Sequence, residues 1–179
     1  LIIMKIKTGG ASGADYLWTL QALKHKCEIE IMSFKGHSSS IPNGITPTYI
    51  QDEKLEEVLP YVDKVCKLLK RKCPDYAYKL IARNFYIVND VEAVYAVGYF
   101  NDSNLGLGID GGTAWGCEYF KILYNDRPIY FYDMNSNSWY CDSDKIIKPP
   151  SPLTYNKVGL IGSRNITQSG INAINNVFL

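Results

Sequence analysis

The sequence is poor in the residues that build metal sites and disulfide frameworks. Its only histidines are His25 and His37, and no group of carboxylates or thiols accompanies them at a metal-ligating spacing. Its five cysteines are an odd number and include no Cys-x-x-Cys pair, so the sequence indicates neither a zinc knuckle nor a disulfide framework. We therefore expect no bound metal, no required cofactor, and a reducing, cytoplasmic setting.

Long apolar runs and an excess of charge of one sign are also lacking. The 19 Lys and Arg residues nearly balance the 18 Asp and Glu residues, which gives a formal net charge of +1. This balance makes DNA binding the least supported role. No apolar run approaches membrane-spanning length, and Leu1 to Ile6 is too short for the apolar core of a signal peptide, so we expect no membrane association.

The remaining composition is that of a folded protein. Apolar residues make up 46% of the 179 residues and charged residues 21%, which is ordinary for a globular chain. This length is enough for one sizeable core, so we expect a single domain over residues 1–179. Helical spacing of Leu55, Val58 and Val62 defines an apolar face that belongs either to the core or to a homo-oligomer contact.

Apolar segments alternate between strand-like and helix-like spacing along the whole chain. Strands are predicted at 2–8, 27–34, 91–100, 128–133, 139–141 and 157–161, and helices at 14–26, 51–72, 76–88, 114–124 and near the C-terminus. Pro60 should break or kink the second helix, and residues 135–138 join two strands as a hairpin or as part of a crossover. The alternation predicts an α/β fold with three layers, a mostly parallel sheet with helices on both faces.

Three glycine-rich turns follow predicted strands and precede helical segments. Such a turn places backbone N–H groups and the positive end of a helix dipole at one point, which favours phosphate, although each turn alone also suits tight strand–helix packing. If the three strands are neighbours, the turns open on one sheet edge and form one ligand pocket. The candidate binding residues in the turns are Thr8, Gly9, Gly10, Ala11, Ser12, Gly13, Asp15, Gly111, Gly112, Thr113, Gly162, Ser163 and Arg164.

Charged and polar side chains near these turns complete the candidate site. Arg83 and Arg164 are natural phosphate partners, because a guanidinium makes two parallel hydrogen bonds to an anion, and Asn84 adjoins the first of them. Asp15 either caps the helix that follows it or accepts hydrogen bonds from ligand hydroxyls. Lys35 and His37 lie in a polar loop that forms either a pocket wall or an ordinary surface loop.

The order of these motifs resembles the SLOG superfamily of Rossmann-like proteins, which includes the LOG phosphoribohydrolases, the DprA recombination mediators and the YpsA-like proteins. The resemblance spans Lys5 to Leu179 and is carried by four motifs: Thr8-Gly-Gly-Ala-Ser-Gly-Ala-Asp15, Ala82-Arg-Asn84 with Asn89-Asp90, Gly111-Gly-Thr113 and Val158-Gly-Leu-Ile-Gly-Ser-Arg164. The sequence departs from the family at 101–108 and 135–152, and it has Gly-Ser-Arg where Gly-Pro-Arg is usual.

The Gly-Ser-Arg strand comes last in this chain, whereas related domains usually begin with it. The chain therefore resembles the circularly permuted YpsA-like branch, often labelled as molybdenum cofactor carriers. Permutation preserves packed contacts only where the old termini are adjacent. The resemblance thus implies that the first and last strands, which carry Thr8 and Leu160, are neighbours.

The resemblance to the LOG enzymes implies, as the alternative, N-glycosidase chemistry. Glu118 stands six positions after Gly112, as the motif glutamate does, and Arg83 matches the motif arginine. In such an enzyme the arginine would orient a sugar or phosphate, and the carboxylate would stabilise an oxocarbenium-like centre or activate water. Ala114 and Trp115 replace the glycine and threonine of the motif, and a glutamate at Glu118 also suits the helix dipole without a ligand.

Two functions follow from these residues as hypotheses. The first is binding of a small phosphorylated or nucleotide-derived ligand, such as a nucleotide, an ADP-ribose-like or a molybdopterin-like compound, by a carrier, sensor or sink. The alternative is a LOG-like nucleotide phosphoribohydrolase that uses Arg83 and Glu118. The expected partner in both is a small molecule, and a homo-oligomer is expected for this fold class.

Overall fold

Eight strands form one sheet in the part of the chain that the structure describes. The computed structural model describes residues 3–100, 109–142 and 144–179. In chain order the strands are β1 (Lys5–Gly9), β2 (Glu28–Ser33), β3 (Thr48–Tyr49), β4 (Ala93–Gly98), β5 (Ile129–Asp133), β6 (Ser138–Cys141), β7 (Asp144–Ile146) and β8 (Lys157–Gly162). Their order across the sheet is β3-β2-β1-β8-β4-β5-β6-β7.

Helices cover both faces of this sheet. They are α1 (Ala14–Lys24), α2 (Asp52–Glu57), α3 (Leu59–Leu69), α4 (Tyr78–Val88), α5 (Thr113–Leu123) and α6 (Gln168–Val177), with 3-10 turns at Asp75–Ala77 and Pro152–Thr154. Helices α1 and α6 pack together on one face, and α2 to α5 contribute to the core on the other. The three layers and the mostly parallel sheet confirm the predicted fold class.

The centre of the sheet is parallel and fully buried. β8 pairs in parallel with β1 on one side and with β4 on the other. The first and last strands are therefore neighbours, as the motif order implies. All six residues of β4 are buried, with Val94 and Ala96 in the core under α4 and α5 and Tyr95 in the core under α1 and α6. Burial on both faces explains why this strand reads as a continuous apolar run.

The sheet changes character beyond β5. β5, β6 and β7 pair antiparallel, so residues 135–138 close a hairpin, and the crossover alternative is wrong. The short edge strands β3 and β7 were not predicted from the sequence, because two or three residues give no usable periodicity. The predicted helix over 51–72 divides at Val58, and Pro60 lies in the first turn of α3, where its missing N–H costs nothing.

The apolar face of the second helical segment belongs to the core. Leu55, Val58 and Val62 are each at most 2% exposed, so they offer no free surface for self-association. The insertion at 101–108 that distinguishes the sequence from the family lies outside the described residues. No helix among the residues the structure describes is long and apolar enough to cross a membrane.

Candidate functional site

A cleft of about 600 Å³ lies at the carboxyl edge of the central strands. β8 leads to α6 on one face of the sheet and β4 leads to α5 on the other, and ligands in open α/β sheets bind where connections diverge in this way. The cleft is lined by Ala11, Asp15, Ala77, Leu80, Ile81, Arg83, Asn84, Tyr99, Asp110, Gly111, Gly112, Thr113, Ile161, Gly162, Ser163, Arg164 and Asn165.

The first and third glycine turns are joined backbone to backbone. Gly13 has a φ of +83°, and a Cβ placed on it would lie 2.3 Å from the carbonyl oxygen of Arg164. Next to it, the amide of Ala14 donates a hydrogen bond to the carbonyl of Ser163 at 3.0 Å. Glycine at position 13 is therefore required for these turns to meet, and it acts on the cleft by placing Ser163 and Arg164.

The second glycine turn is fixed by a side chain of α4. The Nδ2 group of Asn84 donates to the carbonyl of Gly112 at 3.1 Å, and Gly111 adopts a φ of +66°. Because Gly112 is the N-cap of α5, this contact sets the start of that helix. Asn84 thereby links the turn to Arg83, whose Nε donates to Asn84 Oδ1 at 3.2 Å.

Two of the three helices that follow the turns begin without a side-chain cap. Neither Gly13 at the start of α1 nor Gly112 at the start of α5 supplies a capping hydrogen bond. The amide of Ala14 in α1 and the amides of Ala114 and Trp115 in α5 already donate to backbone carbonyls, so these helices offer an anion the positive end of their dipole rather than a full set of free amides. By contrast, Thr167 caps α6 through its hydroxyl, so the third turn contributes Ser163 and Arg164 rather than a helix end.

The Arg83 side chain is buried at the base of the cleft. It is only 3% exposed, and its Nη1 donates to the carbonyl of Met32 at 2.9 Å. Burial lowers the pKa of its guanidinium, while the nearby Asp15 carboxylate opposes this shift. Helix α4 thus positions Arg83 at the cleft. Its Nη1 and Nε groups already donate to Met32 and Asn84.

Asp15 is the buried carboxylate of the cleft. It is 6% exposed, and burial raises its pKa to about 6, against the opposing influence of Arg83. A Cβ on Gly9 would lie 2.4 Å from Asp15 Oδ2 and 2.7 Å from Arg83 Nη1. Glycine at position 9 therefore lets the carboxylate and the guanidinium both approach the end of β1.

Arg164 is the exposed cation of the cleft. It follows β8 in the third turn, and its backbone contacts Gly13. The ion pairs within 4.0 Å among the described residues involve neither arginine of the cleft. The guanidinium of Arg164 is therefore available to an anionic ligand.

Several candidates from the sequence lie away from the cleft lining. Thr8 is buried and donates from its hydroxyl to the carbonyl of Leu160 at 2.7 Å. Gly9 and Gly10 lie where β1 meets the first turn and are not part of the lining. The carbonyl of Gly10 accepts from the amide of Ser40 at 2.7 Å. Ser12 is exposed and is not part of the lining.

The polar loop after β2 does not supply the lining either. Lys35 borders a separate cleft of about 460 Å³. The Nδ1 of His37 lies 3.2 Å from Ser33 Oγ, and its Nε2 is buried without a hydrogen-bond partner in the described part of the protein. Burial, with the positive charges of Arg83 and Arg164, lowers the pKa of His37 to about 4.

Glu118, the carboxylate suggested by the LOG motif, faces a different partner. Its Oε1 forms an ion pair with Lys121 Nζ at 3.1 Å one turn further along α5. It is not among the residues that line the cleft. The carboxylates that do line the cleft are Asp15 and Asp110.

Sequence reasoning missed part of the lining. Tyr99 donates from its hydroxyl to the carbonyl of Asn165 at 3.0 Å and so connects the end of β4 to the third turn. Asp110 directly precedes Gly111. This position beside a glycine turn could have identified it as a lining residue from the sequence. The apolar lining of Ala77, Leu80 and Ile81 had no signal, because their spacing along the helix is that of core residues.

The arrangement suits an anion better than a metal ion. In the described ranges, no group of three or more His, Cys, Asp and Glu side chains is placed to hold a metal. The cleft brings together two guanidiniums and the N-termini of α1 and α5, beside the carboxylates of Asp15 and Asp110. The guanidiniums and the helix N-termini are groups that bind phosphate or carboxylate.

The molecule is thus a Rossmann-like α/β protein with a polar cleft at the carboxyl edge of its sheet, lined by two arginines and two aspartates. It is similar to the crystal structure of a protein from Syntrophus aciditrophicus that is named "Putative molybdenum carrier protein", with 17% identity and a TM-score of 0.55 over 99% of this chain and 96% of that chain. At this identity the similarity shows a shared fold alone. No protein-family model and no curated protein matches the chain.

Proposed function

We propose that this protein binds a small phosphorylated or nucleotide-derived anion in the cleft and acts as its carrier, sensor or sink. One observation carries the proposal: Arg83 and Arg164 face one cleft with two uncapped helix N-termini, and neither forms an ion pair within 4.0 Å in the described ranges. A bound phosphate would interact with the positive charge of Arg164 and with the dipole ends of α1 and α5, and Arg83 would add positive charge that Asp15 only partly offsets.

The size and lining of the cleft support a ligand with two parts. Its volume of about 600 Å³ lies within the usual range for small-molecule sites, on the order of 300–1,000 Å³. The glycine turns and Arg164 supply the polar lining, whereas Ala77, Leu80 and Ile81 supply an apolar wall. A phosphate joined to a flat or apolar body would use both.

The chemical class includes nucleotides, ADP-ribose-like compounds and molybdopterin-like compounds. The name of the protein from Syntrophus aciditrophicus supports testing the last of these. The motif order also supports membership of the permuted YpsA-like branch of the SLOG superfamily. All three classes combine a phosphate with a planar ring, which is the combination that the cleft lining favours.

Binding without turnover is better supported than hydrolysis. A LOG-like N-glycosidase needs its glutamate at the ligand, and Glu118 pairs instead with Lys121 outside the cleft lining. Ala114 and Trp115 also replace the glycine and threonine of that motif. Ligand should therefore be recovered unchanged after incubation with the protein, whereas release of free base would favour the hydrolase.

Calorimetry with AMP, ADP-ribose and a phosphorylated pterin tests the proposal. At least one compound should bind the wild type, and Arg164→Ala should weaken that binding about tenfold, since it removes charge-assisted hydrogen bonds to the anion. Arg71→Ala is the matched control, because Arg71 lies outside the cleft lining, and it should bind as the wild type does. Failure of the whole panel, or equal binding by Arg164→Ala, would contradict the proposal.

A further inference from the structure

The buried end of the cleft holds a carboxylate where an anion site would ordinarily hold none. Asp15 lines the cleft at 6% exposure, and it lies in the first turn of α1, whose N-terminus favours negative charge. An ionised carboxylate repels phosphate. The arginines and the start of α1 favour its ionised form, and the carboxylate then presents acceptor oxygens to whatever the cleft binds.

The protein uses only part of the hydrogen-bonding capacity of this carboxylate. The backbone amide of Ala11 donates to Asp15 Oδ2 at 3.3 Å. The hydroxyl of Thr8 donates to the carbonyl of Leu160 at 2.7 Å and also lies within reach of Asp15, whose pKa it lowers, so the protein supplies the carboxylate with at most these two donors. An ionised carboxylate has about four acceptor positions. Within the described residues, Asp15 thus retains acceptor capacity where it borders the cleft.

We infer that Asp15 is a specificity-determining residue of the cleft, selecting phosphorylated ligands whose body carries neutral hydrogen-bond donors, such as sugar hydroxyls, over phosphates that carry none. This inference rests on the proposed function, because it assigns the phosphate to the glycine turns and Arg164 and the body of the ligand to Asp15. A donor-free ligand leaves the unused acceptor positions of the buried carboxylate without a partner, which is costly.

Two phosphates that differ only in their hydroxyls test this inference. Ribose 5-phosphate presents hydroxyls on its ring, and tetrahydrofurfuryl phosphate keeps the ring and the phosphate but lacks those hydroxyls. Calorimetry at pH 8 keeps Asp15 ionised, since this pH is well above its pKa of about 6. The wild type should bind ribose 5-phosphate at least about tenfold more tightly, as expected for a hydrogen bond to a charged group.

Three variants separate specificity from folding and from phosphate binding. Asp15→Ala should reduce the preference for ribose 5-phosphate to near unity, and Asp15→Asn, which keeps one acceptor oxygen, should give an intermediate preference together with tighter binding of tetrahydrofurfuryl phosphate. Arg164→Ala should weaken both probes and keep the preference. Asp126→Asn removes an exposed carboxylate outside the cleft lining and should change neither probe.

The possible outcomes distinguish the two proposals. A wild type without a preference, or a preference that survives in both Asp15 variants, would overturn the role of Asp15 while leaving phosphate binding intact. Equal weakening of both probes by the Asp15 variants would mean that Asp15 only supports the turn, and it would also overturn the inference. If the wild type binds neither probe at millimolar concentration, phosphate binding fails for this class, and the role of Asp15 fails with it.

Discussion

The two ends of the cleft each hold an arginine, and they hold it in different ways. Arg83 is buried, and its donors are directed to the carbonyl of Met32 and to Asn84. Arg164 is exposed in a turn whose backbone, rather than its side chain, is fixed by Gly13. Arg83 therefore contributes to the fold as well as to the site, whereas loss of the Arg164 side chain should leave the fold intact.

The largest expected loss of stability comes from disturbing the backbone contact between Gly13 and Arg164. Gly13→Ala adds a Cβ 2.3 Å from the carbonyl oxygen of Arg164, at a φ of +83°, so the two turns must separate. We expect a loss of about 4 kcal/mol in the free energy of unfolding, measured by urea denaturation.

Gly36→Ala is the matched control for this substitution. Gly36 has a φ of +89°, but a Cβ on it would meet nothing within 4 Å. Only the backbone cost remains, on the order of 1 kcal/mol. Equal losses for Gly13→Ala and Gly36→Ala would show that the contact between the turns is unimportant.

Substitution of the two arginines should change the free energy of unfolding by different amounts. Arg83→Met leaves the carbonyl of Met32 without its donor in a buried place, and we expect a loss of roughly 2 kcal/mol. Arg164→Ala changes an exposed side chain without an ion pair in the described ranges, so its free energy of unfolding should stay within about 0.5 kcal/mol of the wild type. Similar losses in the two variants would contradict the distinction.

The buried carboxylate of Asp15 should make the free energy of unfolding depend on pH. The pKa of Asp15 in the folded state, about 6, lies above its usual value of 3.8 because of burial. Its contribution to stability is therefore fully present below pH 3.8 and is lost as the pH rises through about 6. Asp15→Asn removes this dependence, so its stability relative to the wild type should increase by roughly 2–3 kcal/mol between pH 4 and pH 8.

Urea denaturation of both proteins across this range measures the effect. The other charged groups near the carboxylate are Arg83 and Arg164, which stay protonated throughout, and His37 is neutral above about pH 4. A constant difference between Asp15→Asn and the wild type would mean that the carboxylate titrates as an ordinary exposed aspartate.

The smallest expected effect is a change in the pKa of His37, which lies near both arginines. Burial and the two positive charges lower the pKa of His37 from 6.5 to about 4, so NMR should find a neutral imidazole at pH 6. His37 thus supports stability above pH 6.5, and this support is lost as the pH falls through about 4. Arg83→Met should raise the pKa of His37 more than Arg164→Ala does, because Arg83 has the larger effect on it. A larger rise in Arg164→Ala would show that Arg164 is the stronger influence on His37.

The fold was largely predictable from the sequence, and the site was only partly so. Continuous apolar strands such as β4 and glycine turns such as Gly111-Gly112 report on burial and backbone shape, which are local properties. The short strands β3 and β7 exist because neighbouring strands offer them hydrogen bonds, which no local pattern encodes. The sequence likewise could not show that Glu118 faces Lys121, since this depends on side-chain direction.

The exposed end of the cleft, where Arg164 lies, should hold a phosphorylated small molecule. Mass spectrometry of compounds released by heating purified wild type and Arg164→Ala tests it directly, because neither protein need be given a chosen ligand. We expect a phosphorus-containing compound in the wild-type sample and a much smaller amount in the variant. Absence of such a compound from the wild type, or equal amounts from both proteins, would contradict phosphate binding at Arg164.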